Sequence, residues 1–122
     1  MTVQKMVELL DANVLVGQEC VDRVVESACG SDLMSDVLAF VKEKTVLITG
    51  LTNPHVIRTA EMLDIVCVIF ARGKVPGEDI IEQAKELDLV VLNTEKTIYT
   101  TCGLLYAQGL PGTERKKSDD VR

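Results

Sequence analysis

Three short runs of β-branched and aliphatic residues recur along the chain: TVLITG at 45–50, IVCVIFA at 65–71 and LVVLN at 89–93. Each is nearly continuously apolar rather than alternating. Strands read this way when helices cover both faces of a parallel sheet. A helical pattern follows each run. Asn53-Pro54 supplies an N-cap and a proline for the first helical position. Val56, Ile57, Ala60 and Leu63 then form one stripe, with His55, Arg58, Thr59 and Glu61 off it. After the second run, Pro76-Gly77 precedes Ile80, Ile81, Ala84 and Leu87 at the same spacing. Glu78 and Asp79 occupy the first turn, where negative charge suits the helix dipole. After the third run, Thr94 or Thr97 is positioned to cap a helix carrying Ile98, Cys102 and Leu105, with Gly109 as its stop. Strand–helix units in succession predict a right-handed parallel βα layer.

The first third is less regular. Val3, Met6, Val7 and Leu10 make a helical stripe. Asn13 to Gly17 and Arg23 to Cys29 read as two short strands, and Ser31 precedes a helix carrying Leu33, Val37, Leu38 and Val41. The pattern predicts that the two strands extend the sheet at one edge or form a small hairpin-like subsheet. The fold class is therefore α/β: a mostly parallel sheet with three C-terminal βα units and an N-terminal helix–strand–strand–helix part.

From Pro111 the pattern stops. PGTERKKSDDVR is charged and almost without aliphatic residues, which predicts a solvated, disordered tail at 111–122 behind a single domain at 1–110. The tail holds four basic and three acidic residues, so it does not account for the formal net charge of −6. That charge disfavours nonspecific binding to nucleic acid or to an anionic membrane. No run is long and apolar enough for a membrane span, and the start is polar and amphipathic rather than a signal peptide, so the expected location is the cytoplasm. There, Cys20, Cys29, Cys67 and Cys102 are expected to be reduced. None forms a C-x-x-C pair, and no metal or cofactor is expected from them.

Two stretches resemble a known family. Gly30-Ser31-Asp32-Leu33-Met34-Ser35-Asp36-Val37-Leu38 resembles a signature of stand-alone DRTGG-domain proteins. Lys85 to Leu110, closing on Leu105-Tyr106-Ala107-Gln108-Gly109-Leu110, resembles the last helix of that group. The resemblance covers about residues 3–110. The name-giving residues differ: Leu51-Thr52 stands where Asp-Arg should follow the first run, and Ala71-Arg72-Gly73 stands for Thr-Gly-Gly. The chain is thus similar to the divergent single-domain branch, some of whose members are encoded beside iron-only hydrogenases. The phosphate-binding G-x-x-x-x-G-K-[ST] loop of the related HPr kinase is absent. The resemblance implies a regulatory or oligomerising unit, a homodimer, with chemistry left to other domains. It also implies an alternative, an accessory interaction protein of an anaerobic redox system with a redox-enzyme partner and no small ligand.

In open parallel sheets, ligands bind beyond the carboxyl ends of the strands, where helix N-termini present free N–H groups. The first of these loops carries Thr49, Gly50, Thr52, Asn53, His55 and, one turn on, Arg58. The second carries Arg72, Gly73 and Lys74, and the third Thr94 and Thr97. Hydroxyls, an amide and a bidentate arginine are what phosphate or carboxylate recognition needs. The same residue types also serve as caps and turns. These positions predict a site for a small anionic ligand such as a nucleotide. No nucleophile–base pair is legible, so a non-catalytic module is expected. A small enzyme using His55, the only histidine, is the remote alternative.

Overall fold

The runs at 45–50, 65–71 and 89–93 become the three central strands of one five-stranded sheet. In chain order the elements are α1 (Val3–Leu10), β1 (Asn13–Val16), β2 (Ser27–Gly30), α2 (Met34–Phe40), β3 (Thr45–Thr49), α3 (Pro54–Met62), β4 (Ile65–Phe70), α4 (Glu78–Glu86), β5 (Val90–Asn93) and α5 (Ile98–Ala107). The computed structural model describes residues 1–40 and 43–113, without the side chains of residues 39 and 40. Val41 of the expected second stripe, and the charged segment from Glu114, lie outside the described residues.

The strand order is β1-β5-β4-β3-β2, parallel throughout except for β1, which runs antiparallel to β5. Period-two alternation explains why the central strands are apolar without interruption. Val46, Ile48, Cys67, Ile69, Val90 and Leu92 face one core, shared with Val3, Met6 and Leu10 of α1 and Leu105 of α5. Leu47, Val68, Phe70 and Val91 face the other, shared with α2, α3 and α4 through Val37, Val56, Ile57, Ala60, Ile80 and Ala84. Every residue of β3 and β5 is buried. Thr59 also turns inward and is buried, contrary to its expected place off the α3 stripe. Leu33 and Leu38, expected in the core, are exposed; among the described residues of that stripe, Val37 alone reaches it.

The two early strands depart from the expected arrangement. They neither share an edge nor form a hairpin, but stand at opposite edges of the sheet. Gly17, at φ 91°, turns the chain out of β1, and a methyl there would lie 2.9 Å from Val90 Cγ2. A single 3-10 turn, Gln18–Cys20, follows. The segment then crosses toward the opposite edge, and Arg23 anchors it. Its Nη1 donates to the Asp88 carbonyl at 2.8 Å and its Nη2 to Asp88 Oδ2 at 3.1 Å. Arg23 was expected to begin a strand; the strand starts at Ser27 instead.

Both edges are protected. β1 is short and bulged between Val14 and Val16. Along β2, Ala28 N donates to the Pro111 carbonyl at 2.9 Å, and Ala28 bridges Gly112. Thr113 is buried. The packed chain therefore continues past the expected boundary at Leu110, because 111–113 covers backbone that β2 would otherwise expose. No described helix is long and apolar enough to cross a membrane.

Candidate functional site

The loops after β2, β3, β4 and β5 meet at the carboxyl end of the sheet. Thr49, the last residue of β3, is fully buried. Its Oγ1 donates to Asp32 Oδ1 at 2.8 Å and accepts from Leu51 N at 3.1 Å. Gly50 N donates to the same Asp32 oxygen at 2.7 Å. One carboxylate from the β2–α2 loop thus holds the mouth of the β3–α3 loop. Ser31 shapes the approach, its Oγ accepting from Leu33 N at 3.0 Å.

The β4–α4 loop is clamped from the other side. Arg72 and Gly73 both take the left-handed conformation, at φ 59° and 69°. Arg72 N donates to the Lys96 carbonyl and Gly73 N to the Thr94 carbonyl, each at 2.8 Å. With the backbone fixed to the β5–α5 loop, the Arg72 side chain reaches across to β3. A methyl built on Gly50 would lie 2.8 Å from Arg72 Nη2. The guanidinium rests in the space that a side chain at position 50 would fill. Among the described residues, no carboxylate pairs with it. Lys74 is also exposed. The surroundings are not uniformly positive: a methyl on Gly73 would meet the Glu95 carboxylate at 2.6 Å.

The candidate residues divide by what they already do. Gly50, Arg72, Gly73 and Lys74 form or border the arginine-lined mouth, with Thr52 half-buried nearby in sequence. Asn53 caps α3, accepting from His55 N at 3.0 Å. Thr97, not Thr94, caps α5, accepting from Thr100 N at 3.2 Å. Thr94 is buried, its Oγ1 donating to the Leu10 carbonyl at 2.8 Å and so tying α1 to the loop. His55 and Arg58 are exposed on α3, and their side chains make no hydrogen bond or ion pair among the described residues. Asp32 was missed by the sequence reading. It stands in the GSDLMSDVL stretch, where an acid after serine reads as a helix-start residue.

The thiols of Cys29, Cys67 and Cys102 are poorly suited to nucleophilic or redox work. All four cysteines are free. Burial pushes the Cys67 thiol far above its ordinary range. Burial also raises Cys29, against a hydrogen bond from Thr113 that lowers it, and raises Cys102. A reactive cysteine needs the opposite shift. Cys20 and Cys29 are half-buried. Glu19, Cys20 and Asp88 bring three donor atoms within 4.8 Å of one another. Arg23 already occupies that cluster, its Nη2 lying 3.4 Å from Cys20 Sγ as well as bonding Asp88.

Comparison with known families matches a DRTGG domain over residues 5–107. No curated protein matches the chain. Among solved structures it is similar to the crystal structure of the CBS and DRTGG domains of the regulatory region of Clostridium perfringens pyrophosphatase, complexed with an activator, diadenosine tetraphosphate. The TM-score is 0.72 at 20% identity, over 98% of this chain and 55% of that one. The chain thus spans little more than half of that neighbour, and at this identity the likeness shows a shared fold. With a family match across nearly all of its packed residues, the chain belongs to the DRTGG-domain family.

Proposed function

We propose that this chain is a non-catalytic regulatory module, acting as a homodimer, that binds a small anionic ligand of the nucleotide class at the loops after β3, β4 and β5. The observation that carries this reading is the Arg72 guanidinium. It lies across Gly50 with no carboxylate partner among the described residues, on a backbone held by two hydrogen bonds. A planar guanidinium on a fixed backbone can grip a phosphate through two parallel N–H···O bonds. Gly50 leaves the room in which the guanidinium lies, and the α3 N-terminus begins close by in sequence. The structural neighbour adds support of a coarser kind, since it is a regulatory region bound to a nucleotide activator.

The test is a thermal-shift screen of the full chain with adenine nucleotides, linear and cyclic dinucleotides, and inorganic phosphate. A ligand bound only by the folded state, at one hundred times its Kd, adds about 2.7 kcal/mol to stability. The expected result is a rise in melting temperature with at least one nucleotide, and a smaller rise in Arg72→Ala. No rise with any of these compounds at millimolar concentration would remove the ligand reading.

A further inference from the structure

Helix α5 is uncharged on every side and rich in apolar residues. Its ten residues, IYTTCGLLYA, carry no charge, although the whole chain has a formal charge of −6. Such a helix is ordinarily buried all round. Here only Thr101 and Leu105 are buried. Tyr99 and Tyr106 are instead 88% and 72% exposed. They stand two helical turns apart and so share a face, with Gly103 between them. A Cβ built on Gly103 meets nothing within 4 Å, so the middle of the stripe is open. Beside it runs an apolar groove of about 570 Å³, lined by Ala28, Gly30 and Leu110 among others.

We propose that this face is the homodimer interface. The two α5 helices cross antiparallel over a two-fold axis at Gly103, with Tyr99 of each copy against Tyr106 of the other. A two-fold interface must be complementary to itself. This face presents both halves of such a match, projecting tyrosines and an open glycine-lined groove. Charge selects the occupant. Two copies at −6 repel across most of their surfaces, and the uncharged α5 face is where they meet without opposing like charges. A foreign partner steered by charge complementarity would gain nothing at an uncharged helix. The tyrosines alone supply a large share of the area. Two tyrosines from each copy supply roughly 600 Å², about half of what the smaller stable interfaces bury, before the groove is counted.

This inference rests on the homodimer part of the proposed function and is independent of the anion site. The test is sedimentation equilibrium of the full chain and of Tyr99→Lys, Tyr106→Glu and Gly103→Gln, each checked by circular dichroism. The positions are open or exposed, and Gly103→Gln improves helix propensity, so the variants should fold. The expected result is a dimeric wild type and three monomeric variants. Mixing Tyr99→Lys with Tyr106→Glu should restore a dimer, because antiparallel crossing sets the new lysine against the new glutamate. A wild-type monomer overturns both the dimer and its interface. A dimer that survives all three substitutions overturns this interface alone. Variants that dissociate but do not recombine on mixing overturn the antiparallel register.

Discussion

Replacing Asp32 with alanine should loosen the carboxyl end of the sheet. One carboxylate oxygen accepts from Thr49 Oγ1 at 2.8 Å and from Gly50 N at 2.7 Å. Thr49 is fully buried, so its hydroxyl loses a partner that water replaces poorly, at a cost of about 1–2 kcal/mol. Gly50 is half-buried and water can reach its N–H, so that bond is worth about 0.5–1 kcal/mol. The two together give about 2 kcal/mol, which for a domain of this size lowers the melting temperature by roughly 8 °C. Urea denaturation of wild type, Asp32→Ala, Thr49→Val and the double variant measures this directly. The Asp32–Thr49 coupling should be about 1 kcal/mol. Asp32→Asn keeps an acceptor oxygen and should lose less than Asp32→Ala. An Asp32→Ala protein within 0.5 kcal/mol of wild type would refute the claim that this side chain pins the two loops together.

Gly17→Ala should destabilise by about 2–4 kcal/mol in the same assay. The left-handed backbone costs an L-residue about 1–2 kcal/mol, and the new methyl would press against Val90 Cγ2 at 2.9 Å and its Cα at 3.2 Å. Stability should also fall above about pH 9, where the thiol of an unfolded Cys67 ionises while the folded state, its pKa raised by burial, still holds the proton. That stability is fully present below pH 9, and each further pH unit removes about 1.4 kcal/mol. Cys67→Ala should reduce this alkaline slope by one proton, read from unfolding free energies between pH 8 and 10; an unchanged slope would exclude Cys67 as its source.

The central fold was legible because β3, β4 and β5 carry their own signal. Val46, Leu47 and Ile48 are apolar in succession since alternate residues enter different cores. Caps were legible for a similar local reason, as with Asn53 and Pro54 at the start of α3. The edges were not. β1 and β2 are four residues each, and the segment between them is tied down by long-range contacts such as Arg23 to Asp88 and Val3 N to the Arg23 carbonyl, pairings no local pattern encodes. The loops that carry the candidate residues were legible, but the structural roles of several of those residues were not. Thr94 looks like a ligand-binding hydroxyl, yet its Oγ1 is spent on the carbonyl of Leu10, far away in sequence. Asp32 looks like a cap, yet it ties two loops. Arg72 takes a left-handed turn beside Gly73 and reaches over Gly50, so its placement uses the glycine-bearing loops that the sequence displays.

That arginine is also where the account is most exposed to contradiction. Isothermal titration of the full chain with the nucleotide that most raises its melting temperature, repeated with Arg72→Ala, isolates the guanidinium's contribution. A charge-assisted contact of this kind is worth about 1.5–3 kcal/mol. The account therefore predicts roughly ten- to hundredfold weaker binding by Arg72→Ala, with an unchanged circular dichroism spectrum. Equal affinities for the two proteins would contradict it.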